Sequence, residues 1–235
     1  MRLSAPLYRL KREARLLSRR DAIPMHEALD RLARQQGFQR WSHLAAEQAR
    51  QSPAAKLLSD LSPGELVLIG ARPGQGKTSM GLELAARAQT LDRLGCFFTL
   101  EYTRRDVDVL LSRIGASQTE RTLLVDTSDA ICARHILERL ESLGRQALVV
   151  VDYLQLLDQK RSNPPLDAQL RDLKTYAQRT GTIFAVISQI DRSFELTDRN
   201  MPGRDDIRLP NPVNLGVFDR LCFLHEGQIQ AERAA

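Results

Sequence analysis

Residues 71–78 read A-R-P-G-Q-G-K-T and stand between an apolar segment, residues 66–69, and a helical stretch, residues 77–91. Gly74 and Gly76 let the backbone curl so that its N–H groups face one point, and the start of the helix adds the positive end of its dipole. This context is typical of a phosphate-binding loop, here with Ala71 in place of the usual first glycine. The predicted nucleotide contacts are Ala71, Arg72, Pro73, Gly74, Gln75, Gly76, Lys77, Thr78 and Ser79.

A carboxylate at the end of an apolar strand supplies the second part of the predicted site. Residues 148–152 read L-V-V-V-D and follow the loop by about seventy residues. A buried strand of this kind brings Asp152 to the carboxyl edge of the sheet, where it can hold Mg²⁺ through water. Lys77 is predicted to bridge the β- and γ-phosphates of ATP. The hydroxyl of Thr78 is offered to Mg²⁺, so the predicted metal ligands are Thr78 and Asp152.

Two polar residues at other strand ends are candidates for the chemical step. Glu101 ends F-F-T-L-E, where a carboxylate can accept a proton from the water that attacks the γ-phosphate. Gln189 ends I-F-A-V-I-S-Q, where an amide can sense whether that phosphate is present. Polar residues at surface strand ends give the same patterns, so both interpretations stay open. The predicted catalytic residues are Glu101, Lys77 and Gln189.

Short apolar segments alternate with helical stretches after residue 64. The predicted strands are residues 66–69, 96–100, 122–125, 148–152, 183–188 and 221–224, and the predicted helices are residues 77–91, 104–114, 130–143 and 166–180. Short apolar strands separated by helices indicate a parallel sheet covered on both faces. We therefore predict an α/β fold with a mainly parallel sheet flanked by helices over residues 64–235, after a linker at residues 51–63.

Positive charge is concentrated in residues 1–50, which are predicted to form a small basic helical module. They contain 11 Lys or Arg and 5 Asp or Glu, whereas the rest of the chain contains 23 and 24. Leu7, Leu10, Ala14 and Leu17, with arginines between them, indicate an amphipathic helix. Such a patch can attract nucleic-acid phosphates. A solvated helix face gives the same pattern, so that alternative stays open.

Cysteine usage and hydropathy bear on the cellular setting. Cys96, Cys132 and Cys222 form no CxxC pair, and Cys96 and Cys222 stand in apolar runs that are typical of buried thiols. No apolar run approaches the roughly 18 residues of a membrane span, and the amino terminus lacks the features of a secretory signal. We expect a reducing, cytoplasmic setting and no membrane partner.

Four segments together resemble the C-terminal domain of the DnaB-type replicative helicases. They are A-R-P-G-Q-G-K-T, F-F-T-L-E, V-V-V-D-Y-L-Q-L-L and I-S-Q-I-D-R-S-F-E, in the family's order and approximate spacing, within about residues 57–226. The resemblance implies a RecA-like P-loop NTPase core that uses ATP and Mg²⁺, with Glu101 as base and Gln189 as sensor. It also implies a homo-oligomer, a hexameric ring, with the loops at residues 160–165 and 192–214 facing single-stranded DNA.

Departures from the family pattern bear on activity. Family members carry a separate N-terminal collar domain, where this chain has the basic module. They also continue into a hairpin whose K-x-R element supplies an arginine finger. In this chain, Arg233 is the only basic residue of residues 228–235. An arginine finger is worth about 10³–10⁵ in rate where it operates. We therefore expect slow hydrolysis, and the departure argues against processive unwinding.

These observations predict a Mg²⁺-dependent ATP-binding and ATP-hydrolysing protein of DnaB-like type that binds single-stranded nucleic acid. Two alternatives stay open. One is a nucleotide-dependent switch or interaction protein with negligible hydrolysis. The other is a P-loop kinase for a small molecule, against which the lack of an Arg-rich lid counts weakly.

Overall fold

Strands and helices alternate through most of the chain, as predicted. The computed structural model describes residues 3–5, 7–116, 123–158, 160, 163–209, 211 and 213–234. The helices are α1 (Leu7–Arg20), α2 (Met25–Gln35), α3 (Trp41–Arg50), α4 (Pro53–Asp60), α5 (Lys77–Ala86), α6 (Arg104–Ile114), α7 (Ala133–Leu143) and α8 (Leu166–Thr180). The strands are β1 (Leu66–Ala71), β2 (Leu94–Thr99), β3 (Leu124–Asp126), β4 (Ala147–Asp152), β5 (Ile183–Gln189), β6 (Arg220–His225) and β7 (Gln228–Arg233).

The seven described strands form one sheet in the order β3-β2-β4-β5-β1-β6-β7. Strands β1 to β6 pair in parallel, and β7 pairs antiparallel with β6. Every residue of β1 and β4 is buried, as expected for parallel strands covered on both faces. The prediction of an α/β fold with a mainly parallel sheet flanked by helices is confirmed.

Local sequence signals set the ends of the helices that flank the sheet. Thr103 and Asp106 form a reciprocal capping box at the start of α6. Helices α6, α7 and α8 are each followed by a glycine in the left-handed conformation, Gly115, Gly144 and Gly181. Glycine adopts this conformation without a Cβ penalty, so these helices end where the pattern predicts.

Strand β7 and helix α5 both differ from the sequence prediction. Residues 228–233 form β7, a hairpin with β6, although they contain no apolar run, because an exposed edge strand needs none. The turn uses Glu226 and Gly227, both with positive φ. Helix α5 ends at Ala86 and a 3-10 turn covers Ala88–Leu91, where one helix over residues 77–91 was predicted. Thr122, at the start of the predicted third strand, lies outside the described residues.

The chain divides into two compact units, Met1–Lys56 and Leu57–Ala235. In the first unit, Ala14, Ala28 and Leu32 form a small apolar cluster. Helix α4 lies within residues 51–63, which were predicted as a linker, and the division falls inside it. The partition into residues 1–50, 51–63 and 64–235 stays a prediction. No helix among the described residues has the length and apolar character to cross a membrane.

We expect Gly95→Ala to destabilise the protein by at least about 2 kcal/mol, because overpacking forces the backbone to move. Gly95 lies in β2, and a Cβ there would be 1.9 Å from the main-chain oxygen of Ala85 at the end of α5. Urea unfolding measures the change. The control is Gly203→Ala, because a Cβ at that position meets only the Arg199 guanidinium, at 3.9 Å. Equal stability of the two variants would contradict this packing.

Candidate nucleotide-binding site

The predicted phosphate-binding loop, called the phosphate loop below, connects β1 to α5 at the carboxyl edge of the sheet. Gly74 and Gly76 have φ angles of 80° and 84°, a conformation that favours glycine. A Cβ at either residue would meet no protein atom within 4 Å, so the space beside the loop is open. No side chain caps the start of α5. The first N–H groups of this helix are therefore available to an anion.

Lys77 and Glu101 face each other in this site. The Nζ atom of Lys77 lies 3.9 Å from Oε2 of Glu101, and their side chains are 11% and 31% exposed. This distance is too long for a hydrogen bond, so the contact is electrostatic. The N–H of Glu101 donates to the hydroxyl of Thr99 at 3.1 Å, which fixes the main chain after β2. The structure thus brings together two of the predicted catalytic residues.

Asp152 is a fully buried carboxylate at the end of β4. Neither of its oxygens accepts a well-formed hydrogen bond from the described residues. Burial raises the pKa of Asp152 to about 6, while the nearby Thr78 hydroxyl and Lys77 lower it and Glu101 raises it. A buried ionised carboxylate without partners is costly, and a cation removes that cost. The carboxylate, together with the buried Thr78 hydroxyl, fits Mg²⁺, which prefers oxygen ligands.

Strand β5 lies between the phosphate-loop strand and the Asp152 strand. Its last residue, Gln189, is paired in register with Ala71, and Ile187 is paired with Asp152. Gln189 is partly exposed, whereas Ser188 is buried and its hydroxyl has no partner among the described residues. The predicted sensor residue therefore lies at the sheet edge between the phosphate loop and the predicted metal ligand.

Two side chains of the phosphate loop bind neighbouring loops. The Arg72 guanidinium donates to Glu195 and to the main-chain oxygen of Ile190. The Gln75 side-chain oxygen accepts a hydrogen bond of 2.8 Å from the N–H of Glu226, in the β6–β7 turn. Nothing in the local sequence signals these contacts, because the partners are 118 to 151 positions away.

The remaining residues predicted to contact nucleotide are distributed along the loop. Ala71 is buried at the end of β1, Pro73 is exposed, and Ser79 is partly buried in the first turn of α5. All three lie close to the glycines in the chain, so their main-chain groups and the Ser79 hydroxyl are the candidates for phosphate contacts.

The loops after β4 and β5 bind each other. The side-chain amide of Gln155 donates to the main-chain oxygen of Arg208 at 2.7 Å, and the Asn211 amide donates to Asp158. Arg161, Ser162, Pro210 and Pro212, which belong to the two predicted DNA-facing loops, lie outside the described residues. Within the described part of these loops, the exposed basic residues are Lys160, Arg192, Arg199, Arg204 and Arg208.

The mainly parallel sheet with its flanking helices is that of a RecA-like P-loop core. The structure matches a DnaB-like replicative helicase, solved in a study of its interactions with primase, with a TM-score of 0.60 at 18% identity, over 95% of this chain and 73% of that chain. It matches a KaiC-like protein of the hyperthermophilic archaeon Pyrococcus horikoshii with a TM-score of 0.51 at 18% identity, over 73% of this chain and 76% of that chain. At such identities these matches show the fold.

Within this class, the chain resembles the replicative DNA helicase DnaB. It is 25% identical to DnaB of Buchnera aphidicola subsp. Schizaphis graminum over 214 residues, covering 76% of this chain and 46% of that protein. It is 27% identical to DnaB of Helicobacter pylori strain 26695 over 209 residues, covering 75% and 43%. The chain thus spans less than half the length of these relatives. No protein-family model matches the chain.

We expect the stability of the protein to fall, relative to that of Asp152→Asn, as pH rises. The folded-state pKa of Asp152 is raised to about 6 from an ordinary value of 3.8. The native state therefore binds more protons than the unfolded state between these values, and its stability decreases as pH rises through them. The amide variant lacks this titration. Any packing effect of the substitution is independent of pH and cancels in the comparison.

Between about pH 4 and about pH 7.5, the unfolding free energy of the parent should fall by about 1–3 kcal/mol relative to that of Asp152→Asn. Urea unfolding of both proteins in EDTA at the two pH values measures it. A pH-independent difference would mean that the Asp152 carboxylate is not desolvated as described.

Proposed function

We propose that this chain binds ATP with Mg²⁺ at the loop of residues 71–79 and hydrolyses it slowly. One observation carries the proposal: a phosphate loop whose Lys77 lies 3.9 Å from Glu101 stands at the same sheet edge as the buried carboxylate of Asp152, whose oxygens accept no well-formed hydrogen bond from the described residues. A lysine, a hydroxyl and two carboxylates at one edge are the groups that phosphoryl transfer to water requires. Similarity to the replicative helicase DnaB supports the same conclusion.

Each residue has a separate task in this proposal. The main-chain N–H groups of the loop and Lys77 hold the β- and γ-phosphates. Thr78 and Asp152 hold Mg²⁺, which neutralises phosphate charge when it is bound. When Lys77 turns to the phosphates, Glu101 loses its electrostatic partner and is free to accept the proton of the attacking water. Gln189 contacts the γ-phosphate and relates its presence to the loop after β5.

The variants Lys77→Ala and Glu101→Gln should separate binding from chemistry. Lys77→Ala removes the cation for the phosphates and should weaken ATP binding at least about tenfold, or about 1.4 kcal/mol. Glu101→Gln keeps the shape but removes the base, so ATP should still bind while hydrolysis falls at least about 100-fold. Calorimetric titration and steady-state phosphate release measure the two quantities. Parent-like hydrolysis by Glu101→Gln would refute the role of this base.

The same pair of measurements tests the alternative of a nucleotide-dependent switch. In that case the parent protein binds ATP but its turnover is no faster than that of Glu101→Gln. Turnover that requires an added small-molecule acceptor would instead favour a kinase. Assembly into a homo-oligomeric ring with ATP stays a prediction, and sedimentation with and without nucleotide measures it.

We further propose that the chain binds single-stranded nucleic acid. Autonomous unwinding of a duplex is not part of this proposal. Helix α1 carries Arg12, Arg15 and Arg19, all exposed and spaced so that they share one face of the helix. The buried residues Leu10 and Ala14 lie between and beside these arginines in sequence and face the other side. The exposed basic residues of the loops after β4 and β5 add charge at the sheet edge. Both surfaces suit a phosphate backbone.

Replacing Arg12, Arg15 and Arg19 together by Gln should weaken the binding of single-stranded DNA. It should also make the binding affinity less dependent on salt concentration. Each lost phosphate contact reduces the log–log salt slope by about 0.7, so three contacts reduce it by about 2. Fluorescence anisotropy with a labelled oligonucleotide at several salt concentrations measures both. ATP binding should not change.

The matched control replaces three exposed arginines of the second unit, Leu57–Ala235, by Gln: Arg113, Arg145 and Arg179. The three arginines lie near the ends of α6 and α8 and near the start of β4, at the amino edge of the sheet and opposite the phosphate loop. The control variant therefore has the same net charge as the α1 variant, and both candidate surfaces stay intact. Equal slopes for the two triple variants would mean that α1 contributes only bulk charge. No binding by the parent at low salt would contradict nucleic-acid binding altogether.

A further inference from the structure

Arg72 is the second residue of the phosphate loop, yet its side chain reaches a different loop. Its Nε and Nη2 atoms each lie 2.9 Å from Oε1 of Glu195, and Nη1 donates to the main-chain oxygen of Ile190 at 3.1 Å. All three guanidinium nitrogens therefore have an acceptor in the segment after β5. The Arg72 side chain is only 11% exposed, which makes these contacts costly to lose.

The segment that receives Arg72 is held by main-chain hydrogen bonds on both sides. The N–H of Ile190 donates to Ala71 at 3.1 Å, next to Arg72 itself. The N–H of Asp191 donates to Asp206 at 2.7 Å, and the N–H of Arg208 donates to Gln189 at 2.8 Å. Residues 189–191 thus lie between the phosphate loop and residues 206–208, and we call residues 189–208 the tethered loop.

Phe194, the neighbour of Glu195 in the tethered loop, is held by a stack of side chains. Phe194 is buried and packs edge-on against His225, at 5.3 Å between ring centroids. The Arg199 guanidinium lies 5.5 Å from the Phe194 ring centroid and 2.6 Å from Asp206. Phe194 anchors its neighbour Glu195, so that the carboxylate is presented to Arg72. The contact between Arg72 and Glu195 therefore joins the phosphate loop to a part of the tethered loop that Phe194 anchors against His225.

We propose that Arg72 is a positioning residue that ties the tethered loop to the phosphate loop through Glu195, so that occupancy of the nucleotide site and order of the tethered loop are coupled. The coupling rests on the nucleotide binding proposed above. Any movement of the phosphate loop on binding is passed to Ile190 and Glu195 through one rigid, planar group. By linkage, order in the tethered loop favours nucleotide binding to the same extent. A lysine could not replace Arg72, because it lacks the fork of donors that reaches both acceptors.

The magnitude of the effect is limited by the solvent exposure of Glu195. Its side chain is 59% exposed, so the charge pair is weakened by water, whereas the hydrogen bond from Arg72 to Ile190 is buried. Removing Glu195 therefore loosens the tethered loop without unfolding the protein. A matched control exists in Glu141, whose side chain is 60% exposed and lies 3.4 Å from Arg179, between α7 and α8.

The test compares amide hydrogen exchange at Ile190, Asp191 and Arg208 in the parent, Glu195→Ala and Glu141→Ala, with and without Mg²⁺ and adenylyl imidodiphosphate. Without nucleotide, Glu195→Ala should raise exchange at these amides by at least about threefold. In the parent, the analogue should slow exchange at the same amides, and Glu195→Ala should lose most of this slowing. Glu195→Gln keeps an acceptor for Arg72 and should fall between the two. Glu141→Ala should behave as the parent does.

The outcomes separate this inference from the proposed function. Parent-like exchange and parent-like slowing in Glu195→Ala would overturn the tie while leaving nucleotide binding untouched. Faster exchange in Glu195→Ala that is slowed by the analogue as in the parent would overturn the coupling, because a merely structural contact has that signature. A parent protein that binds no analogue would contradict the nucleotide site and the coupling together. The nucleotide-free comparison would then still decide whether Glu195 holds the tethered loop.

Discussion

Strand β5 pairs with β1 on one side and with β4 on the other, and this double pairing sets the relative positions of the phosphate loop, Gln189 and Asp152. The register sets Gln189 beside Ala71 and Ile187 beside Asp152. A slip of the register by one residue would turn every side chain of β5 to the opposite face of the sheet, so the close side-chain packing on both faces fixes the register. The phosphate loop and the buried carboxylate are therefore held one strand apart, with a polar strand end between them.

The close approach of α5 to the sheet completes this arrangement. A Cβ at Gly81 would lie 2.7 Å from the side chain of Ile187 and 2.9 Å from that of Val150, so glycine leaves these two side chains their room between α5 and strands β5 and β4. The first turn of α5 carries Lys77 and Thr78. Because the rest of α5 packs on the apolar middle of the sheet, this first turn lies at the edge of the sheet and places both polar side chains there. Packing and site geometry here have a common cause.

Electrostatics at the site is arranged around one lysine and two carboxylates. Asp152 is desolvated, and Lys77 lies near Glu101 at a distance that gives attraction without a hydrogen bond. A buried carboxylate whose burial outweighs its favourable neighbours lowers stability, and such a group is common where a site is arranged for a ligand rather than for the empty protein. The proposed nucleotide and metal ion would remove this cost and rearrange the lysine. The tie from Arg72 to Glu195 would connect that rearrangement to the tethered loop.

The sequence by itself determined the α/β class and the candidate loop, because apolar periodicity, glycines and a strand-ending carboxylate are local signals. Lys77, Thr78, Asp152, Glu101 and Gln189 were found in this way, although their roles stay proposals. Only the tertiary structure decided the partners of Arg72 and Gln75, which lie 123 and 151 positions away for Glu195 and Glu226. It also decided that residues 228–233 are an edge strand, since their exposed polar sequence has no strand signature without β6 beside it. The physical reason is the same in each case. Strand order and register bring distant residues together, and no local sequence pattern specifies which strands pair with each other.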